Sequence, residues 1–194
     1  MLAAGRSQRM GADNKLLLEC GGDTLVRASV QSSIASNVQA TIVVLGHEAQ
    51  AVAAVLEGLD YQAVINADYA QGMASSLRVG VAAAQDYDAV VVLLADMPRI
   101  APDTIDALLR EFARYEESSI VVATHRGRRG HPVIWPAQFF PDLTRLRGDV
   151  GGKGLLKKYT RHLVEVDVGT DSIFMDIDTV DDLAAANRLP LQAN

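Results

Sequence analysis

Ala89-Val-Val-Val-Leu-Leu-Ala95 is the most hydrophobic run in the chain; it stops at a carboxylate, Asp96, with Pro98 two residues on. A run of strand length with no polar residue describes a central β-strand buried on both faces. Upstream, Thr41-Ile-Val-Val-Leu45 is a second such run. Glu48 to Leu59 then sets Val52, Val55, Leu56 and Leu59 at helical spacing. Gln62-Ala-Val-Ile65 is a short strand, and Met73 to Gln85 is helical through Leu77, Val81 and Ala84. Downstream, Pro102 suits the start of a helix carried by Asp103 to Phe112. Ile120-Val-Val-Ala123 is a strand, Arg126-Gly-Arg-Arg-Gly130 a basic turn, Pro132 to Trp135 a short strand and Leu163 to Val168 a longer one. Thr179 to Arg188 closes the chain as a helix, with Thr179 and Asp182 forming a variant capping box. Strands alternating with helices predict an α/β fold, a mostly parallel sheet with helices on both faces. The chain has no repeat, low-complexity tract or linker, so residues 1–194 read as a single domain.

Composition narrows the function. Of 194 residues, 49% are hydrophobic and 22% charged, enough apolar material for a core and too much for a disordered chain. Eighteen basic against twenty-four acidic residues give a net charge of −6 with no lysine/arginine block. That argues against bulk attraction to nucleic acid or to an anionic membrane. The lone Cys20 excludes a disulfide framework and a multi-cysteine zinc site; it reads as a packing residue. No apolar run approaches the roughly 20 residues a bilayer needs, and no basic-then-apolar segment opens the chain. The expectation is a soluble cytoplasmic domain.

The first residues, Leu2-Ala-Ala-Gly-Arg-Ser-Gln-Arg-Met-Gly11 with Lys15 beyond, combine glycines, a serine and arginines. Glycine lets backbone N–H groups approach a polyanion, and the basic side chains neutralise it. The run lacks the three glycines of a dinucleotide fingerprint, which leaves an oxidoreductase reading little support, and it is not a Walker A loop. Gly148 to Lys153 fails the Walker pattern as well. From composition alone, a phosphate-facing loop and an ordinary surface turn are equally good readings. Asp96, where a buried strand ends, faces the crevice in which α/β sheets bind ligands, a suitable position for Mg²⁺. Asp176 and Asp178 flank Ile177 on a short last strand, whose period of two puts both carboxylates on one side. Asp178 fits a metal ligand or a cap of the last helix equally well. Ser75 and Ser76, just after Gly72, are placed to cap a helix, and His131 reads as a turn histidine held by Pro132. His47, His125 and His162 have no metal-ligand spacing.

Six blocks in order widen the reading: Leu2 to Gly11, Asn66 to Gly80, Leu94-Ala-Asp-Met-Pro98, Gly130-His-Pro132, Gly148-Asp-Val-Gly151 and Asp176-Ile-Asp-Thr179. Nearly end to end, they resemble the MobA-like nucleotidyltransferases, with Gly72-Met-Ala-Ser-Ser-Leu77 similar to the molybdenum cofactor cytidylyltransferase branch. The guanylyl branch carries a Gly-Pro-Leu-Ala-Gly-like stretch there instead. The resemblance implies a Rossmann-like three-layer α/β/α nucleotidyltransferase fold. It also implies a first strand several residues long before Leu2, so that β-strand is expected to be truncated here.

What the resemblance implies for the site is specific. Leu2, Ala3, Ala4, Gly5, Ser7 and Gly11 cradle a nucleotide; Arg9 and Lys15 meet its β and γ phosphates. Asn66, Gly72, Ser75, Ser76 and Leu77 read the base. Asp96 and Asp178 hold Mg²⁺, and His131 lies toward a pterin, with Arg126, Arg128 and Arg129 either near its phosphate or simply solvated. Arg9, Lys15 and Asp96 are the expected catalytic residues. The implied reaction moves CMP from CTP to the terminal phosphate of molybdopterin and releases pyrophosphate, in a monomer that touches a molybdoenzyme or its chaperone transiently. A guanylyl or sugar-phosphate nucleotidyltransferase, and an inert nucleotide- or cofactor-binding protein, are the alternatives.

Overall fold

The apolar runs pair into one line of strands because each can satisfy its backbone only against a neighbour. The computed structural model describes residues 1–6, 14–115 and 118–188. In chain order the elements are β1 (Leu2–Ala3), β2 (Glu19–Cys20), β3 (Asp23–Thr24), α1 (Leu25–Ile34), β4 (Ile42–Leu45), α2 (Ala49–Val55), β5 (Gln62–Ile65), α3 (Met73–Ala83), β6 (Ala89–Val92), α4 (Pro102–Arg114), β7 (Ile120–His125), β8 (Arg128–Pro136), α5 (Phe140–Arg145), α6 (Lys153–Lys158), β9 (Leu163–Asp167) and α7 (Val180–Arg188). β1 pairs in parallel with β4, and β4 with β5. A second group runs β6-β8-β7-β9. The two groups meet where Leu2 bridges Leu94 in parallel: Leu2 N donates to Leu93 O at 2.9 Å and Ala95 N to Leu2 O at 3.1 Å. The sheet is mainly parallel; β8 runs antiparallel between β6 and β7.

Alternation along β7 divides the layers. Val121 and Ala123 join Ile105, Leu108 and Phe112 of α4 on one side. Ile120 and Val122 join Leu77 and Val81 of α3, with Trp135 and Leu143, on the other. Side-chain period two on a strand and 3.6 on a helix account for both faces. α1 and α2 cover the β4 end through Val26, Val30, Val52 and Leu56.

Three expectations change in detail. The first strand is short, as expected, yet its two residues lie mid-sheet and tie the two halves together. The run from Ala89 is regular strand only to Val92, and those four residues are half-buried rather than buried on both faces. All four line a cavity of about 360 Å³ between the starts of β4 and β6, together with Met1, Ile42, Val81, Leu93 and Phe112 among others. Finally, the basic turn is a two-residue hairpin. Arg126 (φ 50) and Gly127 (φ 73) take left-handed conformations, as in a type I′ turn, and β8 begins at Arg128. Its arginines are occupied: Arg126 lies 3.6 Å from Asp171, Arg129 2.6 Å from Glu165, and Arg128 stacks on Phe174 at 4.4 Å.

Candidate functional site

Parallel strands present their carboxyl ends on one edge, and a cleft of about 520 Å³ opens there. Leu2, Ala4, Gly5 and Arg6 form one wall as the chain leaves β1; Tyr69, Gln71, Gly72, Met73 and Ser76 form another. The walls approach closely at Gly46, where a Cβ would sit 2.7 Å from the Cβ atoms of both Ala4 and Tyr69. Arg6 lies over the Tyr69 ring at 5.3 Å. At the far wall, Gly72 (φ +98) starts α3 with the 148–149 backbone against it; a Cβ there would meet Asp149 Cα at 2.8 Å.

The floor carries the charge. Asp96 follows the β6 segment, and its backbone carbonyl accepts from Ile177 N at 3.0 Å, drawing the 176–178 stretch alongside. Lys15 stands on a short 3-10 turn, Lys15–Leu17, whose entry is capped by Asn14 Oδ1 accepting from Leu16 N. Its ammonium donates to Asp96 Oδ2 at 2.7 Å and to Asp178 Oδ1 at 2.6 Å. Its side chain is 12% exposed. Burial pulls the Lys15 ammonium down, but the two carboxylates outweigh it and hold it above the ordinary lysine value.

The expected residues divide. Leu2, Ala4, Gly5, Lys15, Gly72, Ser76, Asp96 and Asp178 line the cleft. Ser7, Arg9 and Gly11 lie outside the described residues. Ala3 is buried beneath the wall. Leu77 does not reach the base side: it is buried among Val81, Val133 and Trp135, because helical spacing turns it away from Ser76. Asn66 and Ser75 are also buried away from the cleft. Asn66 Nδ2 donates to Ser75 Oγ at 2.8 Å and Ser76 Oγ at 3.0 Å, its Oδ1 accepts from Asp68 N, and Ser75 Oγ donates to Gly72 O. This knot fixes the Gly72 turn rather than facing a ligand. The serines do not cap α3 either; Asp149 Oδ1, from a distant loop, accepts from Met73 N at 3.2 Å. Leu77→Ala is expected to cost about 2–5 kcal/mol in denaturant unfolding, with nucleotide preference unchanged. A shift in preference at unchanged stability would return Leu77 to the cleft.

Asp176 and Asp178 share no strand. Asp176 is exposed, while Asp178 turns to Lys15. The cap alternative for Asp178 falls to its neighbour: Thr179 Oγ1 accepts from Asp182 N at 3.1 Å, and Asp182 Oδ2 accepts from Thr179 N at 2.8 Å, a reciprocal capping box. His131, on β8, points its Nδ1 toward Val92 O at 3.5 Å and is not part of the cleft wall; burial pushes its imidazole below the ordinary value. Arg6 belongs to the basic loop that the sequence marks; Tyr69, Gln71, Met73 and Asp149 carry no individual role in the sequence reading. All except Tyr69 are exposed or flank glycines inside blocks already quoted, which is the signal that could have found them.

The residues present suit a hard divalent cation. Among the described residues no group of three or more His, Cys, Asp or Glu side chains is arranged around one point. Two carboxylates already share a cation, however, and Asp96 Oδ1 is buried with no hydrogen-bond partner among the described residues. Oxygen ligands completed by substrate phosphates are what Mg²⁺ prefers.

Comparison with known proteins gives the family. The chain matches the MobA-like NTP transferase domain over residues 1–164. It is 31% identical over 188 residues to nicotine blue oxidoreductase of Paenarthrobacter nicotinovorans, covering 94% of this chain and 92% of that protein. It is 31% identical over 205 residues to the molybdenum cofactor guanylyltransferase of Rhodopseudomonas palustris, covering 99% and 91%. Identity to the molybdenum cofactor cytidylyltransferase of Escherichia coli is 26%, covering 96% and 93%. Among solved structures, the Rv0371C complex with manganese from Mycobacterium tuberculosis aligns with a TM-score of 0.80 and 29% identity, covering 96% of this chain and 95% of that one. No helix among the described residues is long and apolar enough to cross a membrane.

Proposed function

We propose that this chain, which belongs to the MobA-like NTP transferase family, works over residues 1–194 as one domain that transfers CMP from CTP to the terminal phosphate of molybdopterin. The observation that carries nucleotidyl transfer is the Lys15–Asp96–Asp178 cluster on the floor of a cleft of nucleotide size. An acceptor phosphate oxygen attacks the α-phosphorus, the bond from the α-phosphorus to the bridging oxygen breaks, and pyrophosphate leaves with that oxygen. The acceptor is anionic at neutral pH, so no general base is needed. What remains is to hold two polyanions in line and to neutralise the leaving charge.

The backbone of Ala4 and Gly5 lies along the triphosphate, and Lys15 supplies a mobile positive charge. Arg9 is assigned to the same phosphates. Asp96 and Asp178 would hold Mg²⁺ or Mn²⁺, which supplies Lewis-acid charge neutralisation at the phosphates. The base lies against Gly72, Met73 and Ser76, and the acceptor enters from the side of Asp149. The chain acts as a cytoplasmic monomer, meeting a molybdoenzyme or its chaperone only in passing.

The cytidylyl reading rests on Gly72-Met73 through Ser76, where a guanylyl-type Pro and second Gly are absent. The relative named as a guanylyltransferase, at 31% identity over nearly the whole chain, supports GTP as the second reading. Calorimetric titration with CTP, GTP, ATP and UTP in the presence of Mg²⁺ separates them. Selective CTP binding is expected, with pyrophosphate release on adding molybdopterin. Selective GTP binding replaces the first reading by the second, and binding without pyrophosphate release in any acceptor assay would make the chain an inert carrier. Binding of a nicotinamide dinucleotide in place of any triphosphate would overturn both transferase readings.

A further inference from the structure

Lys15 does something in this structure that a phosphate-binding lysine need not do. Its ammonium is lodged between Asp96 Oδ2 and Asp178 Oδ1 at 2.7 and 2.6 Å, less exposed than either carboxylate. The ammonium thus occupies one oxygen of each carboxylate. A divalent cation seated on the same oxygens would lie within contact distance of a fixed positive charge, and at partly buried sites like charges so close repel strongly. The ammonium therefore has to leave Asp96 when a metal arrives. Its four-carbon stem can swing, but a half-buried ammonium needs another anion to receive it.

We propose that Lys15 is a built-in placeholder cation: it occupies the Asp96–Asp178 pair against free divalent metal and yields that seat when an incoming triphosphate draws its ammonium away. The inference deepens the nucleotidyl-transfer reading and rests on it for the triphosphate. Metal and triphosphate thereby bind with positive coupling, each raising the affinity for the other by the same factor. Lys15 is in this role a positioning residue for the metal as well as a phosphate ligand. Asp96 Oδ1 is buried with no hydrogen-bond partner among the described residues, so the carboxylate has a second oxygen to offer a cation once Lys15 moves.

The test is Mn²⁺ binding to the full chain without nucleotide, read from the electron paramagnetic resonance of free Mn²⁺, for wild type, Lys15→Met, Lys15→Arg and Lys15→Met/Asp96→Asn. Lys15→Met is expected to bind Mn²⁺ at least about tenfold more tightly than wild type. Lys15→Arg, which keeps the charge, should stay within a few-fold of wild type. The double variant should lose the gain, which locates the ion at Asp96. Equal or weaker binding by a folded Lys15→Met, or a gain that survives in the double variant, overturns the placeholder. Should Lys15→Met fold poorly with its two carboxylates facing each other, a rise in its Tm with Mn²⁺ larger than that of wild type is the expected reading, and no larger rise overturns it. Because no nucleotide is present, the placeholder can hold or fail independently of whether any triphosphate is turned over.

Discussion

Asp96→Asn is expected to lower pyrophosphate release by about a hundredfold or more while leaving the fold intact. Asp96 lines the cleft with Oδ2 bonded to Lys15, while its Oδ1 is buried without a hydrogen-bond partner among the described residues. Amide in place of carboxylate removes one negative charge from the floor, and with it the main attraction for a divalent ion. Metal charge neutralisation in phosphoryl transfer is worth several kcal/mol, and each 1.4 kcal/mol is a factor of ten in rate. The backbone carbonyl that receives Ile177 N is unchanged, and Lys15 keeps Asp178, so unfolding by urea should shift little. Turnover is the measurement, with the urea midpoint alongside it. Wild-type turnover in Asp96→Asn removes Asp96 from the metal site; lost turnover with a collapsed urea midpoint shows a structural carboxylate instead.

The second large effect is on stability. Lowering the pH from about 8.5 to 5 should destabilise the chain that begins at Met1 by about 4 kcal/mol through its N-terminal amine alone. The amine donates to Ile42 O at 2.8 Å inside the sheet, and burial lowers its pKa from 8.0 to about 5. Above pH 8 it is neutral in both states and stability is unaffected. Between pH 8 and 5 the unfolded chain takes up the proton and the folded one does not, so stability falls as pH falls. Three units at about 1.4 kcal/mol each give the figure, a large part of the 5–15 kcal/mol that holds a domain folded. His131, also lowered by burial, adds in the same direction below its ordinary 6.5. The comparison is therefore between urea midpoints of the free and the acetylated amine across that range. Acetylation, which keeps an N–H for Ile42 but no charge, should flatten the slope; parallel slopes for the two forms would show that the amine reaches water.

How far the sequence could be read depends on the element. β4, β5 and α4 were legible because continuous β-branched runs and a 3.6-residue apolar spacing each have one good solution. α1 was not, since Ser29, Ser32 and Ser33 dilute its apolar face. Only in the fold does Ser29 Oγ find Leu25 O and Ala95 O, which makes a buried serine acceptable in a helix. Asn66, Ser75 and Leu77 were legible as a segment near the base side but not as individual roles. A single residue step, about 100° around the helix, separates Ser76, which faces the cleft, from Leu77, which faces the core, and packing against α5 and β8 chooses which.

Apolar spacing along the chain sets the α/β alternation, and the order of the blocks and the carboxylate where the most hydrophobic run ends are read directly from the residues. Only the tertiary structure decided that Lys15 meets Asp96, 81 residues away, and Asp178, 163 away. It also decided that two residues of β1 join the halves of the sheet. These are contacts between distant segments; chain spacing carries no record of them, and the parallel sheet, with its carboxyl ends on one edge, is what brings them together.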